Sequence, residues 1–355
     1  MDLQDPVPLA DVRTPAEFEH GHIPGAFNLP LFSNDERVRV GTAYKQQSKE
    51  AAILLGFELT GPKWAGFIRK ALEIAPGKQV AIHCWRGGMR SGAMAWALDL
   101  YGFQVYLIDG GYKRYRRWVL DQLEKDWPLT VVGGMTGSGK TRILHELRRA
   151  GEQVIDLEDL AQHCGSSYGT LNRLIQPTQE QFENDLAAQL LRFRPGRSIW
   201  VEDESPAIGK LTVPRRFWKA IQTAPLFDVQ VPIDVRVAAL LKEYGSLDRE
   251  FLVACTERVG KRLGTQQTKQ AIAAIREERL EDFIRIVLVY YDKTYRKALD
   301  ARDGARDTSH DSAPDAARDT PGRIPLVVKD GDAAANAARL LAAAKTIPAP
   351  TPAAT

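Results

Sequence analysis

The apolar run Leu129-Thr130-Val131-Val132 leads directly into Gly134-Met135-Thr136-Gly137-Ser138-Gly139-Lys140-Thr141, and a helical pattern follows from Thr141 to Ala150. A buried strand, a glycine turn and a helix in that order belong to a parallel sheet covered by helices, because parallel strands need a crossover. An earlier segment repeats the plan. Gln79-Val80-Ala81-Ile82-His83 reads as a buried strand, Cys84-Trp85-Arg86-Gly87-Gly88-Met89 as a loop, and Arg90 to Leu100 as a helix. Two such turns in 355 residues predict two α/β domains, each with its own core.

Strand and helix patterns alternate through residues 1–125 and resume from 128. Residues 8–13 read as a strand, and Thr14-Pro15-Ala16-Glu17 as a capped helix start. Asn34 to Leu55 reads as helix, Val105 to Ile108 as a strand, and Tyr112 to Leu123 as a basic, aromatic helix. The second domain is expected over 128–299, mostly helical after 249. Residues 300–322 hold little to bury and are expected to be a disordered insert. A last strand and helix occupy 323–346, and 347–355 is a disordered tail.

Net charge is +3, which neither demands nor excludes nucleic acid. Three scattered cysteines make neither a disulfide framework nor a metal pattern, and a cytoplasmic location is expected. The N-terminus has no apolar core for a signal peptide, and no run is long enough to span a membrane.

Cys84 sits where a strand, a glycine-rich loop and a helix N-terminus aim backbone N–H groups at one point. Gly87 and Gly88 allow the tight turn, and Arg86 and Arg90 add positive charge. A cysteine in that field is expected to be a thiolate near neutral pH. Two chemistries use such a loop: transfer of sulfur or selenium on the cysteine, and a His-Cys-x5-Arg phosphatase. The spacing His83-Cys84 to Arg90 fits the second, which stays open.

Gly134, Thr136, Gly137, Ser138, Gly139, Lys140 and Thr141 form a phosphate-binding P-loop, whose amides wrap a diphosphate while Lys140 adds charge. Thr141 is the expected Mg²⁺ ligand. Its acidic partner is sought at a nearby strand end, where Asp203 in Glu202-Asp203-Glu204 comes first and Asp156 second. No tightly bound cofactor is expected. Lys113, Arg114, Arg116 and Arg117, interleaved with Tyr115 and Trp118, read either as an RNA-binding face or as a solvated helix with two core aromatics.

Asp11-Val12-Arg13-Thr14-Pro15-Ala16-Glu17-Phe18 and Gly21-His22-Ile23-Pro24-Gly25-Ala26 resemble the N-terminal signature of rhodanese domains, and Asp109-Gly110-Gly111 with Trp118 resembles their end. A rhodanese-like α/β domain joined to a P-loop NTPase-like α/β domain with a helical portion resembles the tRNA 2-selenouridine synthase family. Gly41-Thr42-x-Tyr44-Lys45-Gln46-Gln47, Gly165-Ser166-Ser167-x-Gly169, Glu202-Asp203-Glu204-Ser205 and Tyr290-Tyr291-Asp292 are similar to segments of that family. The likeness covers about residues 8–299 with the last strand and helix, and leaves out residues 300–322 and the tail. It implies replacement of sulfur by selenium in 2-thiouridine at the tRNA wobble position, with selenophosphate as donor. It also implies S-geranylation from geranyl diphosphate as an intermediate step, with Cys84 carrying selenium as selanyl-cysteine. The Cys84 loop is one residue longer than in common sulfur-transferring rhodaneses, which suits a tetrahedral phosphorus compound. Three other readings stand beside this one: a P-loop kinase or NTPase with a rhodanese-like regulatory domain, a cysteine phosphatase, and an RNA-binding module with vestigial loops, against which the intact Cys84, Lys140 and Thr141 argue.

Overall fold

A computed structural model describes residues 7–163, 168, 175–310 and 322–346, with side chains described only to residue 303 in the long helix that ends at His310. The chain forms two compact units, Met1–Leu123 with Thr178–Ala188, and Glu124–Pro177 with Gln189–Thr355. The segment Thr178–Ala188 follows the second unit's early strands in sequence, yet groups with the first unit.

The first unit is built on a four-stranded parallel sheet. Its strands are β1 (Leu9–Asp11), β2 (Phe27–Asn28), β3 (Gln79–His83) and β4 (Gln104–Leu107), in the order β2-β1-β3-β4. Ala10, Val12, Val80 and Ile82 meet Leu29, Met94 and Leu98 in its core. The helix Pro15–His20 starts as the sequence predicts, with Thr14 and Glu17 forming a reciprocal capping box. The expected helix from 34 to 55 is instead two, Asn34–Gln46 and Lys49–Thr60. Ser48 starts the second, its hydroxyl accepting from the Ala51 amide at 3.1 Å.

The second unit holds a five-stranded parallel sheet of β5 (Leu129–Gly133), β6 (Gln153–Ile155), β7 (Ile199–Glu202), β10 (Leu226–Gln230) and β11 (Arg323–Val327). Their order is β11-β10-β5-β7-β6. A small antiparallel hairpin, β8 (Ala207–Ile208) with β9 (Leu211–Thr212), lies outside the sequence reading. Central β5 is buried along its whole length, as its apolar run demands. A separate helical core gathers Leu240, Leu252, Ile275, Phe283 and Val287 from four helices.

Helix Leu280–His310 runs into the stretch expected to be disordered from residue 300. Arg302 explains the difference for that part, since its side chain is buried and bonded within the fold. Residues 311–321 of that stretch, and the 347–355 tail, lie outside the described residues. So do Cys164, Gly165, Ser166, Ser167 and Gly169. No helix among the described residues is long and apolar enough to cross a membrane.

Candidate active sites

Cys84 follows β3 and is 4% exposed. The loop Trp85–Gly88 carries the chain from there to the helix Met89–Leu100. The Gly88 amide and the Ser91 hydroxyl both donate to the Cys84 sulfur at 3.3 Å. Burial opposes the thiolate. The hydrogen bonds from the Ser91 hydroxyl and from the Ser91, Arg86 and Gly88 amides outweigh it, so the thiol's pKa falls below its ordinary value.

The loop is fixed from behind by the helix Gly111–Leu123. The Tyr112 and Lys113 amides donate to the carbonyls of Cys84 and Trp85, each at 2.9 Å. Such close approach requires glycine at 111, where φ is +56° and any Cβ would collide with the Cys84 carbonyl. Gly87, at φ +70°, would likewise bring a Cβ to 2.9 Å from the Ile108 carbonyl.

The two arginines of the loop behave differently. Arg86 is exposed and has no ion pair among the described residues. Arg90, expected to bind an anion, is held in a two-pronged pair with Glu17 at 2.6 and 3.1 Å. Burial raises the Glu17 carboxyl, but Arg90 outweighs it and holds the pKa below the usual range. Arg90 therefore ties the loop helix to the helix Pro15–His20. A second buried layer lies below. Asp11 accepts from Arg13 at 2.6–3.0 Å, and the Arg13 guanidinium lies 3.8 Å over the Tyr112 ring. Asp11 also stands 3.7 Å from His83. Burial leads the depression of the His83 pKa, which keeps this imidazole neutral.

Of the basic residues at 113–117, Lys113, Arg114 and Arg117 are exposed, and Arg114 pairs with Asp109. Arg116 is engaged within the fold. It bonds Asn184 at 3.1 Å and pairs with Glu180 and Glu183, so it clamps the segment Thr178–Ala188 and presents no free charge. Tyr112 joins that clamp, its hydroxyl donating to Glu180 at 2.7 Å and accepting from Asn184 at 2.8 Å.

In the second unit the P-loop links β5 to the helix Lys140–Arg149. Gly134, Gly137 and Gly139 all have positive φ, and a Cβ on Gly134 would stand 2.9 Å from the Val229 carbonyl. Lys140 folds back over the loop and donates to the Gly134 carbonyl at 2.9 Å. Two braces hold the turn. The Gly134 amide donates to the Tyr295 hydroxyl at 2.7 Å, and Arg236 donates to the Thr136 carbonyl at 3.0 Å while paired with Asp292 at 2.6 Å. Neither brace is visible in the motif. Asp292, in the string Tyr290-Tyr291-Asp292, was the available signal.

Thr136 to Thr141 line an open cleft of about 1100 Å³. Its lining includes the carboxylates Glu158, Asp203 and Glu204, the cations Arg142 and Lys242, and the apolar or aromatic side chains Trp218, Val235, Leu240, Tyr244 and Tyr295. The acidic residues have distinct jobs. Glu202 is buried and accepts from the Leu157 and Glu158 amides at 2.7 and 3.0 Å, starting a short helix. Burial and neighbouring carboxylates raise its pKa well above the ordinary value. Asp203, the expected partner of a Thr141-bound Mg²⁺, instead accepts from Arg302 at 3.0 Å. The Thr141 hydroxyl faces Glu158 at 3.3 Å. Burial, then Glu204, pushes Glu158 up to about 7. Asp156, the second choice, bonds His145 at 2.9 Å and caps the helix Leu157–Leu160.

Comparison with known proteins agrees with this architecture. A model described as rhodanese-like domain matches residues 1–117, and one described as tRNA 2-selenouridine synthase AAA domain matches residues 127–282. A tRNA 2-selenouridine synthase of Pseudomonas putida (strain GB-1) is 36% identical over 306 residues, covering 80% of each chain. That of Hydrogenovibrio crunogenus is 35% identical over 333 residues, covering 81% of this chain and 88% of the other. With both units matched in order and relatives aligned over four-fifths of their length, the chain belongs to the tRNA 2-selenouridine synthase family.

Proposed function

We propose that the protein converts 2-thiouridine at the tRNA wobble position to 2-selenouridine, with selenophosphate as selenium donor and S-geranyl-2-thiouridine as an intermediate. One observation carries this reading: a cysteine whose thiolate is stabilised and a P-loop whose cleft is lined in part by apolar and aromatic side chains occur in the same chain. Thiocarbonyl sulfur is a poor leaving group, and alkylation makes it a good one. At the P-loop, the sulfur attacks the first carbon of geranyl diphosphate and pyrophosphate departs with the bonding pair. The loop amides and Lys140 hold the departing charge. Trp218, Leu240 and Tyr295 offer the prenyl chain a dry surface. Mg²⁺ accompanying the diphosphate would take the Thr141 hydroxyl, with Glu158 the carboxylate at hand, since Asp203 is paired with Arg302. Such an ion would supply further charge neutralisation to the leaving group.

At the other site, the Cys84 thiolate attacks the selenium of selenophosphate, and the Se–P bond breaks with its electron pair leaving on phosphorus as phosphite. The selanyl-cysteine then attacks C2 and expels geranylthiol. A small-molecule thiol cleaves the S–Se bond to release 2-selenouridine and a Cys84 mixed disulfide that a second thiol reduces. The loop amides hold the phosphate portion. The phosphatase alternative needs a free carboxylic acid beside Cys84. Asp11 and Glu17, which face His83 and Arg90, are each held by an arginine, and this favours group transfer.

The test is direct. Purified protein is incubated, with a thiol reductant present throughout, with thiolated tRNA and geranyl diphosphate, selenophosphate, both, or ATP in place of the prenyl donor, and the nucleosides are analysed by mass spectrometry. S-geranyl-2-thiouridine with the first donor and 2-selenouridine with both is the expected result. No new nucleoside under any condition would sink the proposal.

A further inference from the structure

The loop around Cys84 carries an arrangement that its chemistry does not require. Trp85 is 38% exposed and Met89 is 58% exposed, although each is a large apolar side chain within a few residues of the nucleophile. Holding the thiolate needs only amides and a hydroxyl, so these two side chains serve something that comes from outside. Trp85 is held firmly. Its carbonyl accepts from the Lys113 amide, and its ring leans on Tyr112 with centroids 5.8 Å apart. Tyr112 is itself buried and continues a row of rings through Tyr115 and Trp118, spaced 5.9 and 5.6 Å. Trp85 is thus the exposed end of a row whose next ring, Tyr112, is buried and whose further rings, Tyr115 and Trp118, are half-buried.

Cations without a carboxylate partner flank Trp85, while the nearby Asp109 is paired with Arg114. Arg86 and Lys113, each a sequence neighbour of a residue in this contact, are exposed and have no carboxylate partner among the described residues. Arg117 is in the same condition on the next turn of the helix Gly111–Leu123. A rigid exposed indole beside unpaired cations is the combination that binds an unstacked nucleobase and its phosphates. It also revises the first expectation for this helix, because Tyr115 and Trp118 are part of the packing and Arg116 is clamped by acids.

We propose that Trp85 is the stacking platform for the reacting nucleobase of single-stranded RNA at Cys84, with Arg86, Lys113 and Arg117 holding the flanking phosphates and Met89 covering the opposite lip. The RNA identity rests on the function proposed above. The stacked base brings its C2 edge over the loop that carries Cys84, and an alkyl group on the 2-sulfur meets the apolar lip.

The test uses the full-length protein and a fluorescein-labelled anticodon stem–loop RNA containing 2-thiouridine, with affinity read by anisotropy at several salt concentrations. W85A binds about ten-fold more weakly or worse, and W85F, which keeps an aromatic face, recovers most of the loss. R86A and K113A each flatten the dependence of log affinity on log salt by about 0.7. Melting temperatures of all variants, read alongside, show that the exposed substitutions leave the fold intact. Unchanged affinity in W85A, or an equal loss in W85A and W85F, overturns the stacking role. Wild-type protein that binds the RNA with this W85A and W85F pattern, but makes no modified nucleoside, overturns the proposed reaction and leaves the platform standing.

Discussion

The Ser91 hydroxyl stands 3.3 Å from the Cys84 sulfur and 3.0 Å from the Gly88 carbonyl. One hydroxyl proton cannot serve both acceptors, so the bond to sulfur is strongest when the sulfur is charged. Ser91→Ala removes a donor that favours the thiolate and is expected to move Cys84 back toward the ordinary thiol range. The check is the pH dependence of iodoacetamide alkylation at Cys84. The rise in rate should shift to higher pH in the variant, and an unshifted profile would show that the loop amides suffice.

Gly111 sets the spacing behind that thiolate. Gly111→Ala forces a positive-φ residue and a Cβ against the Cys84 carbonyl, so the loop must move. The expected cost is about 2 kcal/mol or more of stability, with slower alkylation of Cys84 at neutral pH. Gly88→Ala, where an added Cβ meets nothing within 4 Å, is the matched control.

The Arg302–Asp203 pair is nearly enclosed, with side chains 3% and 13% exposed. Removing the cation strands a carboxylate, so Arg302→Met is expected to destabilise the protein by about 3 kcal/mol near neutral pH. Burial already raises the Asp203 carboxyl, and loss of Arg302 raises it further. A folded-state pKa above the unfolded one means that the ionised form is what costs stability. The deficit is therefore full at high pH and shrinks as pH falls through the folded value. Urea unfolding at several pH values measures it, and Asp203→Asn in the Arg302→Met background should recover part of the loss.

Lys140→Ala removes the only lysine of the loop and its bond to the Gly134 carbonyl. Geranylation should fall about 100-fold or more, while alkylation of Cys84 keeps its wild-type rate and pH profile. Equal damage to both readouts would mean that the variant is misfolded or that the two steps are not divided as proposed.

Both loops could be read from the sequence because each is contiguous: an apolar strand, glycines and a helix start suffice to specify the turn. What escaped was whatever depends on a distant partner. Arg90 and Arg116 showed charge without showing Glu17, Glu180 or Glu183. Arg302 was hidden in a stretch whose composition offers nothing else to bury, and its role depends on carbonyls at Ile221 and Ala224. Ser48 divides one helical pattern into two by a single cap, a signal too local for periodicity to register. Arg236 and Tyr295 brace the P-loop from positions 100 and 161 residues from their acceptor or donor.

The placement of Thr178–Ala188 in the first unit has a consequence for how the protein can be divided. The polypeptide leaves that unit at Leu123, returns for eleven residues and departs again. A gene fragment ending after Leu123 would encode a product lacking the helix that supplies Glu180, Glu183 and Asn184, and would expose Tyr112 and Arg116 to water. No single break in the polypeptide leaves both units whole, so a cut that frees one must also carry off or strand an element of the other.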